Sequence, residues 1–226
     1  MIWGGLQKTS TIDFPGVLSC VLFARGCDLD CFYCHNRELL VREGPAVPEE
    51  EILAFLQKRR GLLDGVVVSG GEAALWPDLP EFLRRVRAMG YRIKLDTNGQ
   101  RPEVLEALAR SGLLDYCAVD VKALPEDYGA VCGGVFWAVQ NTLDVLQRLE
   151  IGCEARTTLY PGLTLEQLEA LLGLFPPQPR WRLNYFRMPE PTRPQDGARL
   201  ARPALSAPEV QAAESRLRAI QPNLIL

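Results

Sequence analysis

With 226 residues, 47% of them hydrophobic and 23% charged, the chain is long enough for one large core, and its composition excludes disorder as the default. A net charge of -3 gives no bulk attraction to nucleic acid or to an anionic membrane, so neither is expected as a partner. No stretch approaches the roughly 20 apolar residues of a membrane span, and residues 1–16 carry no basic segment followed by an apolar run and a cleavage site, so a cytoplasmic location is expected.

The predicted elements alternate along the chain. Residues 16–24 (GVLSCVLFA) read as a strand, 48–60 as a helix opening on the acidic PEEEI, and 65–69 (GVVVS) as the second strand. Over 78–89, Leu79, Phe82, Leu83, Val86 and Met89 stand at helical spacing. Then come a strand at 91–96 (YRIKLD), a helix at 102–110, a strand at 116–121 (YCAVDV), a helix at 136–149, a strand at 153–159 (CEARTTL), a helix at 165–174, and a sixth strand at 181–186 (WRLNYF). Residues 187–208, rich in proline and arginine, predict a long surface loop before a last helix at 208–220. No repeat or composition shift interrupts this pattern, and 1–226 is expected to be one domain.

Strand and helix alternating about six times predict a parallel sheet sheathed by helices. Two forms fit: a curved, partial (β/α)6 TIM-like barrel, or an open doubly wound sheet. In either form the polar residues just beyond the strands face the ligand. Residues 25–36 follow the first strand, Gly70-Gly71-Glu72 the second, Thr97-Asn98-Gly99 the third and Lys122 the fourth.

Three of the seven cysteines and the only histidine fall within ARGCDLDCFYCHN, residues 24–36. An odd cysteine count in a reducing compartment argues against a disulfide framework. Cys27, Cys31 and Cys34 suit three ligands of an iron-sulfur cluster; Cys31 to His35 also reads as the C-x-x-C-H of haem attachment, and the four side chains as a Cys3His zinc site. Haem attachment needs export. A zinc knot usually draws on two spaced pairs, and a chance set of buried cysteines fits poorly beside Arg25, Asp28 and Asp30. The iron-sulfur reading remains, and three cysteines leave one iron of a four-iron cluster open for chemistry.

These residues carry a resemblance. Cys27, Cys31, Tyr33 and Cys34 after one strand, with Gly70-Gly71-Glu72 after the next, resemble the radical S-adenosylmethionine (SAM) superfamily. TIDFPG at 11–16, CHNR at 34–37, SGGEA at 69–73, LDTNG at 95–99, DVK at 120–122, and Arg156 followed by Pro161-Gly162 resemble the glycyl-radical-enzyme activating enzymes within it. GGLQKTSTIDFPG and LLDGVVVSGG are most similar to the activating proteins of anaerobic ribonucleoside-triphosphate reductase.

The resemblance implies the barrel form, a [4Fe-4S] cluster and SAM as cofactors, reductive cleavage of SAM to a 5'-deoxyadenosyl radical, and removal of an α-hydrogen from a glycine of a partner enzyme. It implies flavodoxin or ferredoxin as electron donor. By the same resemblance Cys27, Cys31 and Cys34 ligate iron, and Tyr33 with the backbone through His35 lies along the adenine. Gly70 and Gly71 let the backbone approach the methionine amino group, and Glu72 orients that loop or accepts from the amino group. Asp96 accepts from an ammonium, Lys122 meets the methionine carboxylate, Arg156 lies near the nucleoside and Asp13 positions the glycine segment. In some relatives residues matching Asp96, Thr97 and Asp120 also hold a monovalent cation.

Plainer readings stand beside these. Asp120 and Lys122 also fit a strand-end salt bridge, and Asn98-Gly99 a simple turn. Cys20, Cys117 and Cys153 read as small buried hydrophobes, Cys132 as a loop cysteine, and His35 as a loop-ordering hydrogen bonder. The sequence departs from some relatives at its sixth strand, where Asn184-Tyr185-Phe186 lacks a histidine and Phe186 or Arg187 is left to make that contact. Two other activities fit the pattern: a radical SAM enzyme acting on a small molecule, and a non-enzymatic iron-sulfur carrier.

Overall fold

β-Branched runs that are apolar on both faces need a sheet covered on both sides. The computed structural model, which describes residues 1–226, has this arrangement. Strands β1 (Trp3–Ser10), β2 (Ser19–Ala24), β3 (Gly65–Gly70), β4 (Arg92–Thr97), β5 (Tyr116–Asp120), β6 (Gly152–Leu159), β7 (Trp181–Tyr185) and β8 (Leu224–Ile225) form one sheet in sequence order. From β2 to β8 the strands are parallel; β1 runs antiparallel to β2. The helices are α1 (Glu49–Arg59), α2 (Leu79–Ala88), α3 (Pro102–Arg110), α4 (Pro125–Cys132), α5 (Phe136–Arg148), α6 (Leu165–Gly173), α7 (Gly197–Leu200), α8 (Ala207–Ala212) and α9 (Glu214–Ile220).

Strand order separates the two forms open to the sequence. A doubly wound sheet reverses its order midway, whereas this one advances by one neighbour throughout, as a barrel does. β1 and β8 do not pair, so the barrel is partial.

Register assigns the two faces. Val21, Val67, Lys94 and Tyr116 align across β2 to β5, and Ala118 aligns with Glu154, Asp120 with Arg156, and Arg156 with Arg182 across β5 to β7. These residues line the lumen. The alternate residues, among them Leu22, Val68, Leu95, Val119, Ala155 and Leu183, join the main core against the helices. Each of the valine and leucine side chains among them, fully buried, contributes about 1.5–3 kcal/mol of transfer free energy. A small second core of Phe14, Val17, Val21 and Val67 plugs the lumen at the N-terminal ends of the strands.

The six expected strands are β2 to β7. β1 is an addition: its Gln7-Lys8-Thr9 stretch is exposed and its pairing with β2, not its composition, makes it a strand. α4 is not among the expected helices; it ends at Cys132, which the sequence suggests is a loop residue, and Gly133, at φ 78°, caps its C-terminus. The expected last helix breaks at Ala213 into α8 and α9. Residues 187–208 are not simply a surface loop. They contain a 3-10 turn at Pro194–Asp196 and α7, with Asp196 and Leu200 buried. No helix is long and apolar enough to cross a membrane.

Candidate functional site

The cysteine loop and the Gly-Gly-Glu loop leave adjacent parallel strands, and their backbones lock together. Gly71 N–H donates to Ala24 O at 2.8 Å and Glu72 N–H to Gly26 O at 2.7 Å. A Cβ on Gly71 would lie 2.2 Å from Gly26 O, and Gly70 has φ 105° with Ala24 O 2.6 Å from where its Cβ would stand. The glycines are therefore required by the approach of the cysteine-loop backbone itself. Buried Arg25 fixes the far side, donating to the carbonyls of Glu38, Glu43 and Pro45.

Glu72 is fully buried and saturated: its carboxylate accepts from Ala74 N, Asn98 N and Thr97 Oγ1 at 2.7–3.1 Å. Burial raises its pKa to about 7 against the opposing pull of these bonds. Of the two roles expected for Glu72, orienting the loop is the one the geometry displays.

Cys31 is buried, and Cys27 and Cys34 are partly so. Burial pushes the Cys27 thiol up to about 12 and raises that of Cys34. Cys31 is lowered to about 7, first by a hydrogen bond with Cys132. A bound metal offsets thiolate charge, so the burial of these thiols does not bar them as ligands. Leu29 N and Asn98 Nδ2 lie 3.5 and 3.8 Å from Cys27 Sγ as N–H donors. The residues present thus fit an iron-sulfur cluster. Cys132 is no loop cysteine. It ends α4, is fully buried, and its carbonyl accepts from Asp30 N at 2.9 Å, which docks α4 on the cysteine loop. Cys20, Cys117 and Cys153 are buried in strands, as expected.

The lumen above β4 to β6 carries a network of alternating charge. Arg156 bridges two carboxylates, with Nη1 3.1 Å from Asp96 Oδ2 and Nε 2.9 Å from Asp120 Oδ1. Lys94 Nζ lies 2.7 Å from Asp96, and Lys122 Nζ 3.1 Å from Asp120. Burial alone would raise the Asp120 carboxyl; Arg156 and Lys122 overcome it and hold it at about 2. Asp96 is likewise held below its usual range by Arg156 and Lys94. Arg156 thus joins Asp96 and Asp120, two of the positions that in some relatives also hold a monovalent cation. The strand-end salt bridge read for Asp120 and Lys122 is present as well.

The remaining expected residues are more dispersed. One face of the Tyr33 ring stacks on Tyr160, with centroids 5.1 Å apart and planes 9° apart. His35 is exposed at the rim, and the crowding of the loop, then Arg187, lowers its pKa. Asp13 lies between β1 and β2, at the opposite end of the sheet from the cysteines, and accepts from Ser10 Oγ.

A model of the radical SAM superfamily matches residues 21–175. The chain belongs to the radical SAM superfamily. Its cofactors are accordingly a [4Fe-4S] cluster and SAM. A protein of Methanocaldococcus jannaschii named as a glycyl-radical enzyme activating enzyme is 34% identical over 173 residues, 72% of this chain and 70% of that one. The pyruvate formate-lyase-activating enzyme of Clostridium pasteurianum is 27% identical over 70% of this chain and 68% of its own. Among solved structures, Streptococcus suis SuiB superposes with a TM-score of 0.69 over 90% of this chain at 16% identity, and native anSMEcpe with bound AdoMet with 0.63 over 89% at 13% identity. This radical SAM chain spans 47% and 61% of those two chains, and the likeness concerns the fold.

Sequence reasoning missed three contributors around the cysteine loop. Asn98 was read in part as a turn residue, Arg37 only as a letter in a motif, and the segment around Asp196 as loop. Residues that act across long sequence separations leave no local signal.

Proposed function

We propose that this chain is a glycyl-radical-enzyme activating enzyme, that its 226 residues form one domain, and that anaerobic ribonucleoside-triphosphate reductase is the enzyme activated. The observation that carries the reading is the similarity to a protein of that activating group, extending over most of both chains. The words GGLQKTSTIDFPG and LLDGVVVSGG support the choice of reductase. The open seam left between β1 and β8, which do not pair, supports an extended protein segment as substrate over a small molecule in a closed pocket. The proposed setting is the cytoplasm, where thiols stay reduced and flavodoxin or ferredoxin is at hand as donor.

In this reading Cys27, Cys31 and Cys34 hold the cluster. When bound, it supplies the electron that splits SAM into methionine and the 5'-deoxyadenosyl radical that takes the glycine α-hydrogen. Glu72 holds the Gly70-Gly71 backbone against the cysteine loop, so that its polar groups meet the methionine amino group. Lys122 receives the methionine carboxylate while Asp120 keeps its charge in place. Arg156, pinned by Asp96 and Asp120, faces the nucleoside, and the backbone from Tyr33 to His35 bounds the adenine. Asp13, bonded to Ser10 at the plugged end opposite the cysteines, has no part in this reading.

The test is anaerobic. The reconstituted, dithionite-reduced protein is given SAM, and 5'-deoxyadenosine is followed by chromatography with Cys31→Ala as control. The reductase is then added and the glycyl radical sought by electron paramagnetic resonance. Cleavage without any glycyl signal on the reductase would remove that partner while leaving the radical chemistry.

A further inference from the structure

We propose that Asn98 is a positioning residue that raises the reduction potential of the cluster through a hydrogen bond to Cys27; the inference rests on Cys27 being a cluster ligand.

The orientation of its amide is settled without reference to sulfur. Asn98 Oδ1 accepts from Gln100 N at 3.0 Å, and a backbone N–H there can only donate. Asn98 Nδ2 therefore points the other way, where it donates to Asp28 Oδ1 at 2.8 Å, and an ionised carboxylate can only accept. The amide nitrogen has a second hydrogen, and Cys27 Sγ is 3.8 Å from it, within reach of an N–H to sulfur bond.

The residue is also held in place. Its own N–H donates to Glu72 Oε2 at 2.7 Å, Glu72 is fully buried, and Asn98 is only 6% exposed, so water scarcely competes for the amide. The donor is thereby tied to the loop that packs on the cysteine backbone.

A hydrogen bond to a ligating sulfur draws charge from it. One-electron reduction makes the cluster more negative, so the bond stabilises the reduced state more than the oxidised one and raises the potential. Removing the donor shifts the potential the other way.

The experiment is a redox titration of the anaerobically reconstituted protein, following the reduced cluster by electron paramagnetic resonance. Asn98→Ala is expected to move the midpoint to a more negative potential than wild type. Gln100→Ala removes a side chain that reaches Val135 but makes no bond to sulfur, and is expected to leave it in place. If Asn98→Ala holds no cluster, Asn98→Leu gives the reading: it keeps the backbone bond to Glu72 and much of the volume, offers no N–H to Cys27 and adds no charge, so a negative shift is again expected. Midpoints equal to wild type in the cluster-bearing Asn98 variants would overturn the proposal. A Cys27→Ala variant whose cluster forms as well as that of wild type would overturn the ligand assignment beneath it.

Discussion

Arg37 Nη2 donates to Asp196 Oδ2 at 3.0 Å across 159 residues of sequence, and both side chains are buried. The same guanidinium donates to the carbonyls of Cys31 and Phe32. Arg193 extends the join, giving Nε to Asp196 at 2.7 Å and Nη1 to both Asp30 oxygens, while Arg199 lies 3.8 Å over the Phe32 ring. The C-terminal segment is thus fastened to residues 30–37 of the cysteine loop. Removing one partner of a buried pair leaves the other charge uncompensated, at a cost of about 3–5 kcal/mol. Asp196→Ala should lower the urea unfolding free energy by roughly 3 kcal/mol and speed iron loss from holoprotein to a chelator; an unchanged iron-release rate would separate this segment from the cluster loop.

Gly71→Ala should be costly because the atom it meets, Gly26 O, belongs to backbone and cannot swing aside. Overpacking of this kind costs about 1–3 kcal/mol, and the upper part of that range is expected here. Gly173→Ala, where nothing lies within 4 Å of the added Cβ, is the control and should be neutral or slightly stabilising. Parallel denaturant curves show whether only the first variant loses stability.

Lys122→Met should keep the cluster and weaken SAM binding. One lost charge-assisted hydrogen bond costs about 1.5–3 kcal/mol, which corresponds to a roughly 10- to 100-fold higher dissociation constant. Equilibrium dialysis of the cluster-bearing protein measures it. Equal affinities for variant and wild type would take Lys122 out of the site.

Glu72 predicts a pH dependence. Its pKa rises on folding from 4.5 to about 7, so between these values the folded chain binds more protons than the unfolded one. Stability then falls as pH rises through this window, by up to roughly 3 kcal/mol for this group. Glu72→Gln cannot ionise, so in cluster-free protein its melting temperature should gain on wild type as pH goes from about 4.5 to about 7. A constant gap across that range would contradict the buried, protonating carboxyl.

Much of the fold was legible because it rests on local pattern. The runs that became β2 to β7 are short, β-branched and bounded by turn residues, and the helices between them repeat apolar positions at helical spacing. β1 was not legible, since a strand that is stable only through one neighbour has a weak pattern of its own. Strand and helix alternation left the partial barrel and the doubly wound sheet both open; strand order, which chooses between them, depends on which strands come to lie side by side.

The sequence by itself determined the cysteine spacing, the Gly-Gly-Glu loop one strand later, and the placement of polar residues at strand ends, because ligand spacing and strand periodicity act over a few residues. Only the tertiary structure decided that Gly71 is pressed by Gly26, that Arg156 joins Asp96 to Asp120, that Asn98 reaches Cys27, and that Asp196 closes on Arg37. Those contacts join residues many positions apart, and their existence depends on strand register and on how distant segments pack. No spacing along the chain encodes that directly.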